Sequence, residues 1–361
     1  MSKYQITLTP VDKFFFGGDM TFKVGADKNR NFDNEQFSSY IIQSSMFPQQ
    51  TSLLGMLRFL ILRNAGEEVF KGNHIVDKTK AKELIGGRSF MVDAANDFKT
   101  VKGLNHVRIR RVAKSQSTDL EFAPLFKELD FSNVVSATYN LNDMNIPSLT
   151  DEEYKAKEGL ELKLTDGTNM FSLDDVFVKD RRVGINRDIQ TGIVDEGALF
   201  KQISYRFNNK EANHCFVFEA EIDDMIPFES YNGQMVSVGG DNSQFVIGIS
   251  KEIKNSQSFK AYSHAVCLLS PTYLKRTEAQ TAKFAITRLM SFRFLTDRKD
   301  NRDDDKRSYH VLNSKLERSP RYELYAPGSV FYFENEAQKD TFCKLIDSKQ
   351  EFRMIGYNEY K

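Results

Sequence analysis

The nonapeptide HCFVFEAEI, residues 214 to 222, follows the polar run FNNKEAN at 207 to 213. Its concentration of β-formers reads as a strand, and the Asn-rich run before it reads as a turn. The strand opens a second set of elements: MVSVGG (235 to 240), QFVIGISKE (244 to 252), KAYSHAVCLLSP (260 to 271) and SVFYFE (329 to 334), then a helix over ENEAQKDTFCKLIDS (334 to 348) and a last strand over EFRMIGY (351 to 357). Working backwards, KYQITLTP (3 to 10) alternates like a first strand. TSLLGMLRFLILRNAG (51 to 66) reads as a helix with Thr51 or Ser52 as N-cap and Gly66 as its stop. RSFMVDA (88 to 94) and HVRIRRV (106 to 112) are short strand candidates. The class is therefore α+β in both halves, with domains expected over 1–210 and 211–361, compatible with a duplicated small fold. At 361 residues the chain exceeds the usual single-domain size. Residues 150 to 182 and 296 to 308 read as charged inserted loops.

Fifty basic residues balance fifty acidic ones, which argues against a protein that coats nucleic acid indiscriminately. No apolar run reaches the roughly 18 to 20 residues of a membrane span, and MSKYQITLTPVDKFFF lacks the basic head and apolar middle of a signal peptide. A cytoplasmic protein without membrane contact is expected. Cys215, Cys267 and Cys343 are widely spaced, odd in number and without a CxxC, so they read as reduced core thiols. The five histidines form no HxxxH or HExxH set, so no metal and no cofactor is expected. Asp303, Asp304 and Asp305 sit between Arg302 and Lys306 and compensate them. Thirty Phe and no Trp point to an aromatic core, with some rings spare for stacking.

VGINRDIQTGIVDEGALF, residues 183 to 200, carries Gly192 and Gly197 at the glycine spacing of a phosphate-cradling P-loop. Ala198 and Leu199 stand where that loop needs Lys and Ser or Thr, so nucleotide hydrolysis is excluded. What remains is backbone able to approach something closely, here and at Gly184, Gly239 and Gly240. The clearest electrostatic feature is Phe98 to Thr118, with Lys99, Lys102, Arg108, Arg110, Arg111 and Lys114 and no acid. On a strand, Arg108 and Arg110 share one face and Val107 and Ile109 the other. Guanidiniums so placed suit a phosphate backbone.

The order of these blocks resembles that of a known family, subunit three of the Cmr effector complex, a type III-B CRISPR component of the RAMP superfamily. The resemblance rests on LTPVDKFFFGGDMTF, FPQQTSLLGMLR (47 to 58), the 183 to 200 block, VSVGGDNSQF (236 to 245) and YAPGSVFYFE (325 to 334). It implies two tandem ferredoxin-like (RAMP/RRM-like) domains with inserted loops, and no catalytic residues. It further implies a subunit that grips the 5′ tag of the crRNA and docks the large polymerase/cyclase-like Cmr subunit, next to the backbone RAMP subunit. The RNA-binding residues expected on this basis are Arg58, Lys102, His106, Arg108, Arg110, Arg111, Lys114, Gly184, Arg187, Thr191, Gly192, Gly239, Gly240 and Asn242. The family's C-terminal glycine-rich signature is reduced here to RMIGYNEYK. The alternative is a RAMP endoribonuclease that processes precursor crRNA with His106 or Tyr357 as acid or base. A third reading is a structural subunit whose basic stripe faces protein.

Overall fold

The computed structural model describes residues 1–17, 20–23, 40–87, 89–92, 95–113, 116–125, 161–187, 191–192, 194–252, 264–296 and 317–361. Its first strand, Ser2–Pro10, buries Tyr4, Ile6 and Leu8 on one face, as the alternation predicts. On one side it pairs with strand Asn213–Ile222, from Ser2 opposite Ile222 to Leu8 opposite Phe216. On the other it pairs with strand Gln244–Ser250. Strand Arg108–Ala113 lines the far side of Asn213–Ile222, and Gln116–Phe122 continues the sheet as a hairpin. All these pairings are antiparallel. Helix Gln50–Arg63 contributes Leu53, Leu57, Leu60 and Ile61 to one core with Ile6, Leu8, Phe216 and Phe218.

This pairing overrides the expected division at residue 210. HCFVFEAEI is a strand, but it belongs to the sheet of the first half, because its alternate residues Phe216, Phe218, Ala220 and Ile222 are buried in the core that Ser2–Pro10 also faces. A separate sheet begins only after residue 264: Ala265–Cys267 pairs with Val330–Tyr332, which pairs with Phe284–Ile286. Leu268 bridges Tyr360, and Lys361 and Cys267 exchange backbone hydrogen bonds. Helix Glu336–Asp347 covers this sheet through Phe342 and Ile346.

Three other expectations change. EFRMIGY is a helical turn, Gln350–Arg353, followed by a tight turn at Gly356 with φ 82, not a strand. Residues 89–92 of RSFMVDA form no strand. The long helix starts at Gln50 after Gln49, without a side-chain cap from Thr51 or Ser52. Within the expected 150 to 182 insertion, residues 161–182 hold the strand pair Lys163–Thr165 and Met170–Ser172, the turn of helix Leu173–Val176, and the start of a long strand. Residues 150 to 160 and 297 to 308 lie outside the described residues.

That long strand, Phe177–Arg187, forms a hairpin with Val194–Phe207, and Tyr40–Gln43 adds to it in parallel. The base of the hairpin is packed into a ring cluster: Phe14 lies 4.9 Å from Phe16, 5.5 Å from Phe207 and 5.4 Å from Phe216. Here the phenylalanine-rich composition serves the core.

The C-terminal turn clasps the two sheets together. Gln50 Nε2 donates to Asn105 O and Gly356 O at 3.0 Å each, and the Leu104 N–H donates to Met354 O at 2.9 Å. A Cβ on Gly356 would meet Gln50 Nε2 at 2.2 Å and the Asn105 carbonyl at 2.5 Å. Gly233 has the same φ of 82 with nothing within 4 Å. Gly233→Ala is therefore expected to cost only left-handed strain, about 1–2 kcal/mol. Gly356→Ala adds about 1–3 kcal/mol of overpacking, read as a lower urea midpoint in the full chain. Equal midpoints for the two variants would mean the turn is not pinned at Gln50 and Asn105.

Candidate nucleic-acid interface

The arginine strand is committed internally. Arg108 is 4% exposed, and its Nη2 lies 3.1 Å from Glu219 Oε1 and 3.6 Å from Asp119 Oδ2. Arg110 grips Asp119 with two bonds, Nε to Oδ1 at 2.6 Å and Nη2 to Oδ2 at 3.0 Å, and donates through Nη1 to Gln5 Oε1 at 2.8 Å. Asn105 Nδ2 donates to the remaining Glu219 oxygen at 3.1 Å. Two guanidiniums thus meet two carboxylates on one sheet face. The expected phosphate role of Arg108 and Arg110 gives way to this network, because burying either charge without its partner is costly. Arg111 points the other way, over the Phe171 ring at 5.5 Å, and burial together with the Arg111 charge lowers the pKa of His214.

Other expected contacts also have partners within the protein. Arg58 is buried, donates to Gly86 O at 3.2 Å and lies 5.6 Å from the Phe98 ring centre. Lys102 lies 3.9 Å from Asp223. His106 is buried with Nδ1 3.4 Å from Glu359 Oε2. Burial pushes the Glu359 carboxyl up, but adjacent His106, with Arg353 and Arg108 beyond, outweighs it and holds the group below the usual glutamate range. Tyr357 is 2% exposed, and burial raises its phenol pKa. Lys114 lies outside the described residues, as does the side chain of Arg187, whose backbone sits opposite Val194 at the hairpin's end.

The glycine blocks meet. Gly184 is in the hairpin opposite Phe200, and Thr191 and Gly192 are exposed beyond its strands, with Gly192 at φ 68. Gly197 lies inside strand Val194–Phe207, so the P-loop-like spacing is a hairpin. Asp241 and Asn242, both with positive φ, form a turn whose Asp241 carboxylate accepts from Gln202, the residue opposite Arg182. Gly239 and Gly240 support that turn against the first half: a Cβ on Gly239 would meet Phe15 O at 2.4 Å, and the Gly240 N–H donates to Phe15 O at 2.7 Å. The hairpin also presents Arg181, Arg182 and Arg206, all exposed and absent from the sequence-based set. The signal for Arg181 and Arg182 was the run KDRR at 179 to 182, which by composition reads as part of an inserted loop. Among the described residues no group of His, Cys, Asp or Glu is placed to hold a metal. The three thiols are free, and burial pushes those of Cys215 and Cys267 up to about 11 and about 12.

The network makes Arg108 a stability residue. Arg108→Ala leaves Glu219 and the 6%-exposed Asp119 short of positive charge, with an expected loss of about 3–5 kcal/mol. Exposed Arg206→Ala should stay within about 0.5 kcal/mol. Urea unfolding of both variants checks this, and a neutral Arg108→Ala would place the guanidinium outside the network.

The sequence matches the family of CRISPR-associated proteins Cas_Cmr3 over residues 6–360. No curated protein matches it by sequence. Among solved structures, a chain of the type III-B Cmr-beta complex bound to cognate target RNA and AMPPnP aligns with a TM-score of 0.50 at 13% identity, covering 99% of this chain and 95% of that one. A chain of the same type of complex bound to cognate target RNA aligns at 0.49 and 15% identity, covering 99% and 96%. The first of these likenesses shows a shared mixed α/β fold with antiparallel sheets. With the family match running almost from end to end, the chain belongs to the CRISPR-associated Cas_Cmr3 family, subunit three of the type III-B Cmr complex.

Proposed function

We propose that this chain is a non-catalytic guide-RNA-binding subunit of a type III-B CRISPR effector complex. In this reading it grips the 5′ tag of the crRNA and docks the large polymerase/cyclase-like subunit, beside the backbone RAMP subunit. The observation that carries it is the family match over residues 6–360. The architecture supports two ferredoxin-like units in tandem. In the first, the chain-order strands Ser2–Pro10, Arg108–Ala113, Asn213–Ile222 and Gln244–Ser250 stand in the spatial order second, third, first, fourth. The first helix follows the first strand, and the 3₁₀ turn Phe228–Tyr231 occupies the place of the second helix. The second unit repeats that order with Phe284–Ile286, Val330–Tyr332, Ala265–Cys267 and the terminal segment bridged through Tyr360.

The RNA path follows the hairpin and its neighbouring turn rather than the arginine strand. Arg182 and Gly184 share a hairpin face with Gln202, which anchors the Asp241–Asn242 turn. Thr191, Gly192 and Arg187 lie at the hairpin's end. Cationic side chains beside open glycine backbone suit phosphates. The absence of catalysis is supported by the two acid–base candidates: His106 and Tyr357 are both buried, out of reach of a 2′-hydroxyl.

Guide-RNA binding by the assembled complex across a salt series tests the path. Arg182→Ala is expected to lower the log–log slope by roughly 0.7 for each phosphate left without its cation, with sequence preference unchanged. An unchanged slope and affinity would move the path off the hairpin. Labelled repeat RNA should remain intact with purified protein, and specific cleavage would instead make the chain a processing nuclease.

A further inference from the structure

The two faces of the long hairpin differ in a way that RNA contact does not explain. Antiparallel pairing puts Phe177, Lys179, Arg181, Val183 and Ile185 on one face with Phe207, Tyr205, Ile203 and Lys201 opposite. At the base this face is core: Phe177, Tyr205 and Phe207 are buried, and Gln43 Nε2 donates to the Tyr205 hydroxyl at 2.7 Å. Further out the same face leaves the body but stays apolar. Val183 is 66% exposed and Ile185 47%, two residues apart on a strand that pairs on only one side among the described residues. Beside them the described charged side chains on this face are positive, while nearer the base Lys179 lies 3.8 Å from Asp174. Arg181 is exposed, Lys201 stands directly opposite Val183, and no described side chain of the two strands brings a carboxylate to this face. Asp180 lies on the other face, 3.7 Å from Arg182 and 3.7 Å from Lys13.

Resting on the proposed membership of an effector complex, we infer that the Arg181–Val183–Ile185 face of the hairpin is a docking surface for a neighbouring protein subunit that presents an apolar patch edged by carboxylates. Charge complementarity and side-chain type set the occupant. Branched aliphatic side chains offer no ring on which a base can stack, and RNA binding to single strands is built from stacking platforms and cations. Aliphatic pairs flanked by guanidinium and ammonium groups match an acidic, apolar protein surface, with area buried at the centre and charge at the rim. The division of labour follows from strand geometry: Arg182 and Gly184 face the turn at Asp241, while Arg181, Val183 and Ile185 face away from it.

The test uses the full chain reconstituted with the other subunits of its type III-B complex and guide RNA, with a photo-cross-linking amino acid placed at position 183 and, separately, at position 182. Position 183 should cross-link to protein and position 182 to guide RNA. The variant Val183→Glu with Ile185→Glu should keep the wild-type unfolding midpoint, because both residues are exposed. Its retention in the complex should fall by roughly tenfold or more, as two aliphatic side chains lose their burial. A guide-loaded complex in which position 183 cross-links only to RNA, or to nothing, overturns this inference alone. So does a double variant retained like wild type. A native complex that holds no guide RNA overturns the functional reading and this inference with it.

Discussion

The strand Ser2–Pro10 holds the architecture, because both of its edges are taken by partners more than two hundred residues away in sequence, Asn213–Ile222 and Gln244–Ser250. Its backbone donors and acceptors are satisfied only when the chain has returned from the helix, the arginine hairpin and the long hairpin. Among the described residues, the chain from 11 to 212 leaves this sheet for the helix and the long hairpin and adds Val101–Leu104, Arg108–Ala113 and Gln116–Phe122 to it. Pairings of such sequence separation close a large loop before any contact rewards it, so folding of this sheet is slow relative to its helices.

The same sheet explains why a basic stripe carries no free charge at its centre. Arg110 and Asp119 are cross-strand neighbours in a tight hairpin, and Glu219 reaches Arg108 from the strand on the other side. Mutual compensation in a half-buried plane lowers the desolvation penalty of each ion, whereas a solvated phosphate would have to displace an existing carboxylate. Cations remain available where strands leave the body, on the hairpin at Arg181, Arg182 and Arg206, where solvent covers what packing does not.

The glycines divide along the same line. Gly239 and Gly356 exist for close approach of protein to protein, the first against Phe15 and the second against Gln50 and Asn105. Gly192 has a left-handed φ and, among the described residues, nothing within 4 Å of where a Cβ would sit, which is a turn requirement. Sequence treats these positions alike, since a glycine's neighbour in space is set by segments remote from it.

By itself the sequence determined what local pattern can determine. The alternation of KYQITLTP, the apolar helix from Gln50 to Arg63, the strand at HCFVFEAEI and the helix over Glu336–Asp347 stand where periodicity puts them, and the ordered blocks carried the family. Part of the network was legible too: the acid-free run ends at Thr118, and the next residue, Asp119, is where hairpin register places a partner for Arg110. Only tertiary structure decided that HCFVFEAEI joins the first sheet and that EFRMIGY is a turn. It likewise decided that Arg58, His106 and Tyr357 are interior and that 183 to 200 is the outer end of a hairpin. The physical reason is that strand pairing and ion-pair burial are contacts between distant segments. The period of a strand says which residues share a face, and nothing about what that face meets.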